Sequence, residues 1–403
     1  MADRRLTWLL SANAVGNLAD GIGKVAFPLL AATLTRDPVL IGALSATQFL
    51  PWLLFGVFAG TLADRVDRRH AVILANASRA VVVGLTAVLV VTGTVSIWLV
   101  YVAALLLGVA ETVAESAGNA MIPALAPPAQ LESANSKFQA AEILGQTFLG
   151  GPVGSLTFAA FAAFPFLLNS AGFAIAAALL IGLAGSFRPK APAEPTRLRT
   201  DLLSGLKWLV RHPVLGRLVI IAGLISFASE MAQAQLVLYA LQDLHLSDAA
   251  FGLFTFVGGI GGLLGAAGAA RLVRRAGRRP VLVAGIFAGG LGFGAMGFVH
   301  QPIASAALFG LFAAAVVTVN VVLATARHTL VPSELLGRVL GVWRTVVWGS
   351  IPLGALVGGA FTQLLGSASA TFALSGAAQV ALAVLAALML RRFSIDREAV
   401  SSS

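Results

Sequence analysis

Long apolar runs, broken at regular intervals by short polar or charged stretches, account for almost the whole chain. They fall near residues 7–33, 39–63, 71–92, 95–119, 133–157 and 161–184. After a polar interval they resume near 214–241, 248–270, 280–299, 302–326, 337–363 and 367–390. Each is close to the roughly 20 residues that an α-helix needs to cross a bilayer. The runs are rich in Ala, Leu and Gly and lack the alternation of a membrane barrel. The pattern therefore predicts an all-α membrane protein with twelve transmembrane helices in two groups of six. It assigns residues 1–184 to an N-terminal six-helix bundle, 185–213 to a linker and 214–403 to a C-terminal six-helix bundle. The first run lacks a small-residue cleavage site and reads as a retained helix rather than a signal peptide.

Composition agrees with this reading. Only 11% of the 403 residues are charged and 58% are hydrophobic, whereas soluble domains carry about 25% charged residues. Too few charges remain to cover a water-facing surface. A net charge of +10 would suit a nucleic-acid partner, but its placement argues otherwise. Arg4 and Arg5 precede the first span, and Arg65, Arg68 and Arg69 follow the second. Arg188, Lys190, Arg197 and Arg199 follow the sixth, Arg271, Arg274, Arg275, Arg278 and Arg279 the eighth, and Arg391 and Arg392 the twelfth. The intervening connections hold only Arg36. Because Lys and Arg collect in cytoplasmic loops, both termini and the linker are expected inside, and no nucleic-acid partner is expected.

The absence of cysteine excludes disulfides, thiolate metal sites and cysteine nucleophiles. The five histidines, His70, His212, His245, His300 and His328, show no metal-ligand spacing, so no metal is expected. Gly292-Phe-Gly294-Ala-Met-Gly297 matches the dinucleotide pattern formally, yet it lies inside an apolar span with no strand before it. No phosphate-binding loop and no Ser-His-Asp constellation is visible, so neither a cofactor nor an enzymatic activity is expected.

An internal repeat supports the two groups. Leu149-Gly150-Gly151-Pro152-Val153-Gly154 recurs as Leu353-Gly354-Ala-Leu-Val357-Gly358, an offset of 204, and the basic stretch after the second span has an echo in Arg274-Arg275-Ala-Gly-Arg278-Arg279. The linker begins with Pro-rich sequence expected to be extended. It then places Leu202, Leu203, Leu206, Leu209 and Val210 on one helical face, suited either to the inner membrane surface or to docking on protein.

Between the second and third spans stands Gly60-Thr-Leu-Ala-Asp64-Arg65-Val-Asp67-Arg68-Arg69-His70. This stretch resembles the loop pattern Gly-x-x-x-Asp-Arg-x-Gly-Arg-Arg of the major facilitator superfamily, with Asp67 where the second Gly is usual. Asn17-Leu-Ala-Asp20-Gly-Ile-Gly resembles the first-helix signature of the exporters of macrolides and of siderophores such as enterobactin. Gly150-Gly151-Pro152-Val-Gly154 resembles the Gly-Pro motif of the antiporter branch, with Ser155 in place of a further Gly. The resemblance covers nearly the whole chain. It implies two six-helix halves around a site at the bilayer midplane, a bacterial cytoplasmic membrane, and a monomer exporting a lipophilic or amphiphilic solute against protons. It also implies that the Asp64 loop latches the inner gate.

Ionisable residues inside spans are costly and mark function. Asp20 and Lys24 share one face of the first span, Glu111 and Glu115 one face of the fourth, Glu142 lies in the fifth, and Glu230 in the seventh at about the position of Asp20 in the first half. A carboxylate in a cavity can alternate between protonated and ionised states as its surroundings change, so Asp20, then Glu230 and Glu142, are the candidate proton carriers. The other reading of Asp20 is a static pair with Lys24. Arg79 and Glu111 lie at similar depth, about 12 Å from the inner ends of their spans at 1.5 Å per residue, and are expected to pair. Asp64 is expected to cap the start of the eleventh span or to pair with Arg338. Gly150, Gly151, Pro152 and Gly154 are candidates for a bend.

Cavity candidates are the aromatics Phe27, Phe49, Trp52, Phe138, Phe227, Tyr239, Phe254, Trp343 and Trp348. Gln48, Gln139, Gln146, Gln233, Gln235, Asn320 and Arg344 supply polar points. A greasy cavity with few charges suits a lipophilic solute better than a multiply charged anion. Proton-coupled nutrient uptake, or a receptor or lipid scramblase without transport, are the alternatives. The expected partners are a small amphiphilic substrate, protons and membrane lipids.

Overall fold

A computed structural model of the chain describes residues 2–63, 66–125, 131–183, 185, 187–188 and 198–391. Its elements are helical: α1 (Ala2–Leu34), α2 (Pro38–Ala63), α3 (Arg68–Val91), α4 (Ile97–Leu125), α5 (Leu131–Glu142), α6 (Gly150–Ala160), α7 (Phe164–Ile181) and α8 (Leu198–Arg211). There follow α9 (Leu215–Gln233), α10 (Leu236–Leu238), α11 (Asp248–Ala276), α12 (Arg278–Met296), α13 (Pro302–Leu330), α14 (Ser333–Leu365) and α15 (Ala368–Met389). Among the described residues, nine helices are long and apolar enough to cross a membrane.

The side-chain distribution on α3 explains why such helices need lipid. Its inner face carries Ala75, Asn76, Arg79, Ala80, Thr86 and Ala87, while Leu74, Val81, Leu85, Val88 and Val91 point outward. Small and polar groups inside with large aliphatics outside invert the pattern of a water-soluble helix. Small residues let membrane helices approach closely, and hydrocarbon solvates the outer face.

Two compact units form. One comprises residues 1–36, 47–193 and 246–256, the other residues 37–46, 194–245 and 257–403. The short segments 37–46 and 246–256 thus belong to the unit opposite to that of their neighbours in sequence. Within the second unit, Gly42 lies so close to the Ala355 carbonyl and the Gln235 amide that a Cβ would collide. Within the first, Gly252 lies in the same way against Gly151 and Ser155. The first unit has an apolar core of Leu6, Leu9, Val72, Met121, Ile122, Leu180 and Leu183. The core of the second gathers Leu215, Leu218, Ile221, Leu282, Ile286, Val322, Leu323, Val339 and Leu390.

The fifth expected span is not one α-helix. A π-helical stretch, Ile143–Leu149, separates α5 from α6. Pro152 lacks the N–H that would bond back toward this stretch, and π-bulges arise where the regular ladder is interrupted. This π-helical stretch lies one turn before Gly150–Gly154, where the sequence pointed to a bend. The seventh span is also broken. After α9, Gln235 adopts φ −98° and ψ 4°, and a second π-helical turn runs from Tyr239 to Asp243. Between α11 and α12, Gly277 has φ +83°, a left-handed conformation that favours glycine.

The linker helix α8 does not keep its apolar residues on one side. Leu209 is buried in the second unit's core with Trp208 packed against it, and Gly205 touches the backbone of Arg338. Leu206 and Val210, at the i and i+4 positions of the other stripe, are exposed. Docking on protein accounts for the first stripe. The side chains of Leu202 and Leu203 lie outside the described set.

Candidate functional site

Asn13, Asn17, Asp20 and Lys24 recur at intervals of four, three and four along α1, which aligns them on one helical face. The π-helical stretch turns Gln146 toward this face. Gln146 Nε2 donates to Asn17 Oδ1 at 2.6 Å, and Lys24 Nζ donates to Gln146 Oε1. Asn17 Nδ2 continues the chain to the Asn13 carbonyl at 2.9 Å. Close approach makes this register possible: Gly145 packs on Asn17 and Leu18, Gly150 on Gly21, and Gly154 on Ile22.

Asp20 faces α3, where Arg79 donates to its carboxylate through a side-chain ion pair. The guanidinium lies 4.2 Å from the centroid of the Phe173 ring. This differs from the expected Arg79–Glu111 pair and from the alternative reading of Asp20 as paired with Lys24. Arg79 binds Asp20 rather than Glu111, and Lys24 binds Gln146 rather than Asp20. Depth along a span limits which residues can meet but not the direction of their side chains. Here the Phe173 ring beneath Arg79 contributes to setting that direction. Asp20, Arg79, Glu111, Glu115, Glu142, Gln146 and Phe138 nevertheless all line one cavity of about 140 Å³, together with Asn13, Asn17, Asn76 and Asn119. Sequence reasoning missed these asparagines as cavity groups; for Asn13 and Asn17 the spacing along α1 carried the signal, whereas Asn76 on α3 and Asn119 on α4 had none.

The second unit has its own cavity of about 170 Å³, lined by Glu230, Ser226 and Ser229 of α9, Asn320 and Arg327 of α13, Trp343 of α14 and Gln379 of α15. Ser45, on the segment of α2 that belongs to this unit, donates to Glu230 Oε1 at 2.6 Å. The repeat seen in sequence is realised in packing. Gly354 meets Phe227 and Gly358 meets Met231, much as Gly150 meets Gly21 and Gly154 meets Ile22.

The basic loop after α2 acts within the first unit. Asp67 is the N-cap of α3 and accepts from the Arg69 N–H at 3.0 Å, while its other oxygen accepts from the Phe187 N–H at 3.1 Å. Burial pushes its carboxyl up, but the N–H groups of Phe187, His70 and Arg69 outweigh this and hold it below its ordinary value. The departure from the usual Gly is thus a helix cap, at an extended backbone (φ −66°, ψ 115°) that does not require glycine. Arg68 donates to the Ala120 carbonyl at 3.0 Å. Arg69 donates to the terminal carbonyls of α7, Leu180 at 2.8 Å and Ile181 at 2.6 Å. The echo is exact in role, since Arg279 donates to the Ala387 carbonyl near the end of α15 at 3.0 Å. Arginine near a helix C-terminus satisfies orphan carbonyls and complements the helix dipole. Asp64 and Arg65 lie outside the described residues. Arg338 reaches Ser204 of α8 at 3.4 Å.

Several cavity candidates are packing groups instead. Phe27 is buried edge-on against Phe166 at 5.2 Å, and Trp52 is buried in the first unit. The Tyr239 hydroxyl lies within 2.9–3.0 Å of Met296 O, Val299 O and Ser305 Oγ. Gln48 and Gln233 line neither of the two cavities. Arg344 lies over the ring of Trp348 at 5.4 Å. Among the described residues, no cluster of His, Asp or Glu has the arrangement of a metal site.

Residues 1–403 match the family described as transmembrane secretion effectors. The chain is 27% identical over 374 residues to the uncharacterized MFS-type transporter YfiS of Bacillus subtilis, covering 90% of this chain and 87% of that one. It is 27% identical over 390 residues to the enterobactin exporter EntS of Shigella boydii, covering 95% and 92%. Its fold is similar to the crystal structure of the nucleoside transporter NupG, with a TM-score of 0.78 at 14% identity over 97% of this chain and 99% of that one. Apolar spanning helices, repeated glycine contacts and a carboxylate-bearing cavity in each unit accord with these likenesses: the chain belongs to the transmembrane secretion effector family of major facilitator transporters, multi-pass membrane proteins that are not enzymes.

Proposed function

We propose that this chain exports a lipophilic or amphiphilic small molecule from the bacterial cytoplasm by proton antiport and alternating access. The observation that carries the reading is the Asp20–Arg79 pair inside a cavity that also holds Glu111, Glu115 and Glu142. Protonation of Asp20 removes its charge and frees Arg79, and the neighbouring carboxylates can then take over that cation. Loss of the proton restores the pair. Such an exchange gives two arrangements of the cavity that differ by one proton, the minimum requirement for coupling. Glu230 with Ser45 is the corresponding carrier in the second unit. Enterobactin-exporting relatives that align along 95% of the chain support outward transport and make siderophores the first substrates to try.

The test is substrate-induced proton movement in proteoliposomes of oriented protein, using siderophores, macrolides and lipophilic dyes. Flux that requires both a panel compound and Asp20, and that disappears in Asp20→Asn, is the expected result. Undiminished coupled flux in Asp20→Asn would remove Asp20 from the carrier role. Substrate entering with protons rather than against them would replace export by uptake.

A further inference from the structure

Arg327 stands apart from the other internal cations. It lies one turn before the end of α13 and lines the second unit's cavity. Its guanidinium carbon is 4.6 Å from the centroid of the Trp343 ring. Its Nε is buried and has no hydrogen-bond partner among the described residues. Arg79, in contrast, has Asp20. Glu230 lines the same cavity, but its carboxylate is bound by Ser45 and forms no ion pair with Arg327.

A guanidinium carries five N–H donors in a rigid fork and no acceptor. The Trp343 ring offsets part of the charge through its face but cannot accept those donors in the plane of the fork. A second donor in the same cavity, the buried Ser229 Oγ, also lacks a partner among the described residues. Asn320 supplies a further amide, and the remaining wall is mainly aliphatic. With Glu230 held by Ser45, a cavity that offers a guanidinium with an unpartnered Nε, an unpartnered hydroxyl and mainly apolar walls is complementary to an organic oxyanion. A carboxylate or phenolate attached to an apolar or aromatic body fits that description.

We infer that the second unit's cavity binds a singly anionic organic group through Arg327, with Trp343 bracing the guanidinium. The inference rests on the export reading and names the substrate class within it, a lipophilic solute that carries one negative charge. Arg327 fixes the oxyanion in plane through two parallel N–H bonds. The hydroxyl of Ser229 and the amide of Asn320 complete the donor set, and the aliphatic wall takes the apolar body.

The test is direct binding to the full chain in lipid nanodiscs by scintillation proximity. Three probes of nearly equal shape are compared: naphthoate, neutral naphthamide and cationic naphthylmethylamine. Wild type should bind naphthoate on the order of tenfold or more tightly than naphthamide, as expected for a charge-assisted hydrogen bond. Arg327→Gln should abolish that preference while keeping naphthamide binding, which also reports that the variant is folded. Arg327→Lys should keep part of it, because a point charge cannot reproduce the fork. Arg275→Gln, an exposed charge at the end of α11, should leave it intact.

A preference that survives Arg327→Gln overturns the inference, as does equal loss in Arg275→Gln or no naphthoate binding by wild type. The export reading is scored separately by proton flux in proteoliposomes. Anion preference without export, or export without anion preference, therefore identifies which of the two has failed.

Discussion

Replacing Arg79 by Met tests the electrostatic core of the first unit. Arg79 is only 4% exposed and is held between the Asp20 carboxylate and the Phe173 ring, 4.2 Å away. Met retains most of the aliphatic stem, so the substitution chiefly removes the charge and its donors. Breaking a buried pair from one side typically costs about 3–5 kcal/mol, because the other charge is left uncompensated. Asp20 lines a cavity rather than a closely packed interior, which places the expected cost near the lower end, about 3 kcal/mol. The lost ring contact adds roughly 0.5–1 kcal/mol.

Arg79→Met with Asp20→Leu removes both charges and fills the site with aliphatic groups. It should bring stability back to within about 1 kcal/mol of wild type, since apolar replacement of a buried pair is often neutral. The assay is equilibrium unfolding of purified protein in mixed micelles, followed by tryptophan fluorescence at neutral pH. The double variant should be stable yet silent in proton-coupled transport. If Arg79→Met costs less than about 1 kcal/mol, or the double variant is no more stable than the worse single one, the pair does not carry the burden assigned to it.

Two further stability predictions follow from the helix ends and the glycine contacts. Asp67→Ala removes the cap of α3 and the acceptor for Phe187 N–H, and should cost about 1–2 kcal/mol in the same unfolding assay. Because the folded carboxyl is held below its ordinary value, the wild-type advantage is fully present above about pH 5 and falls as the pH drops through the folded value, below about pH 4. An advantage that instead grows on acidification would refute this assignment. Gly358→Ala places a Cβ against the Met231 backbone and should cost roughly 1–3 kcal/mol. Gly268→Ala on α11, where a Cβ meets open space, should be neutral or stabilise by up to about 1 kcal/mol through helix propensity. Equal effects at both positions would show that the close contact does not matter.

The cation-rich loop illustrates how one motif can be read at two levels. Its Asp67, Arg68 and Arg69 bind helix ends and a helix carbonyl in the first unit. Arg279 performs the same service for α15 in the second. These contacts fasten each bundle at one end. A transporter needs such rigidity if small changes in cavity charge are to move whole helices rather than fray them.

Sequence alone determined the membrane class, the helical character and the repeat, because each is a property of local order; of the twelve expected spans, nine helices among the described residues are long and apolar enough to cross a membrane. A run of about 20 apolar residues is a bilayer crossing wherever it folds. The glycines at Gly150 and Gly154 reappear at Gly354 and Gly358 because both pairs meet a neighbouring helix at close range. Internal charge singled out Asp20, Arg79, Glu111, Glu115 and Glu142 as costly and functional, and the fold brings these five to the wall of one cavity, although depth and spacing pointed to Arg79 and Glu111 as an ion pair.

Pairing was decided by tertiary structure. Depth pointed to Glu111 as the partner of Arg79; the fold gives it Asp20 instead, with Phe173 beneath the guanidinium. Ser45 reaches Glu230 across 185 positions of sequence only because the start of α2 joins the second unit. Arg327, unremarked in the sequence, gains from the fold a cavity, a tryptophan and, among the described residues, no acidic partner. Periodicity records which face a residue occupies. What that face meets depends on side-chain direction and on which segments pack together, and these exist only once the helices are assembled.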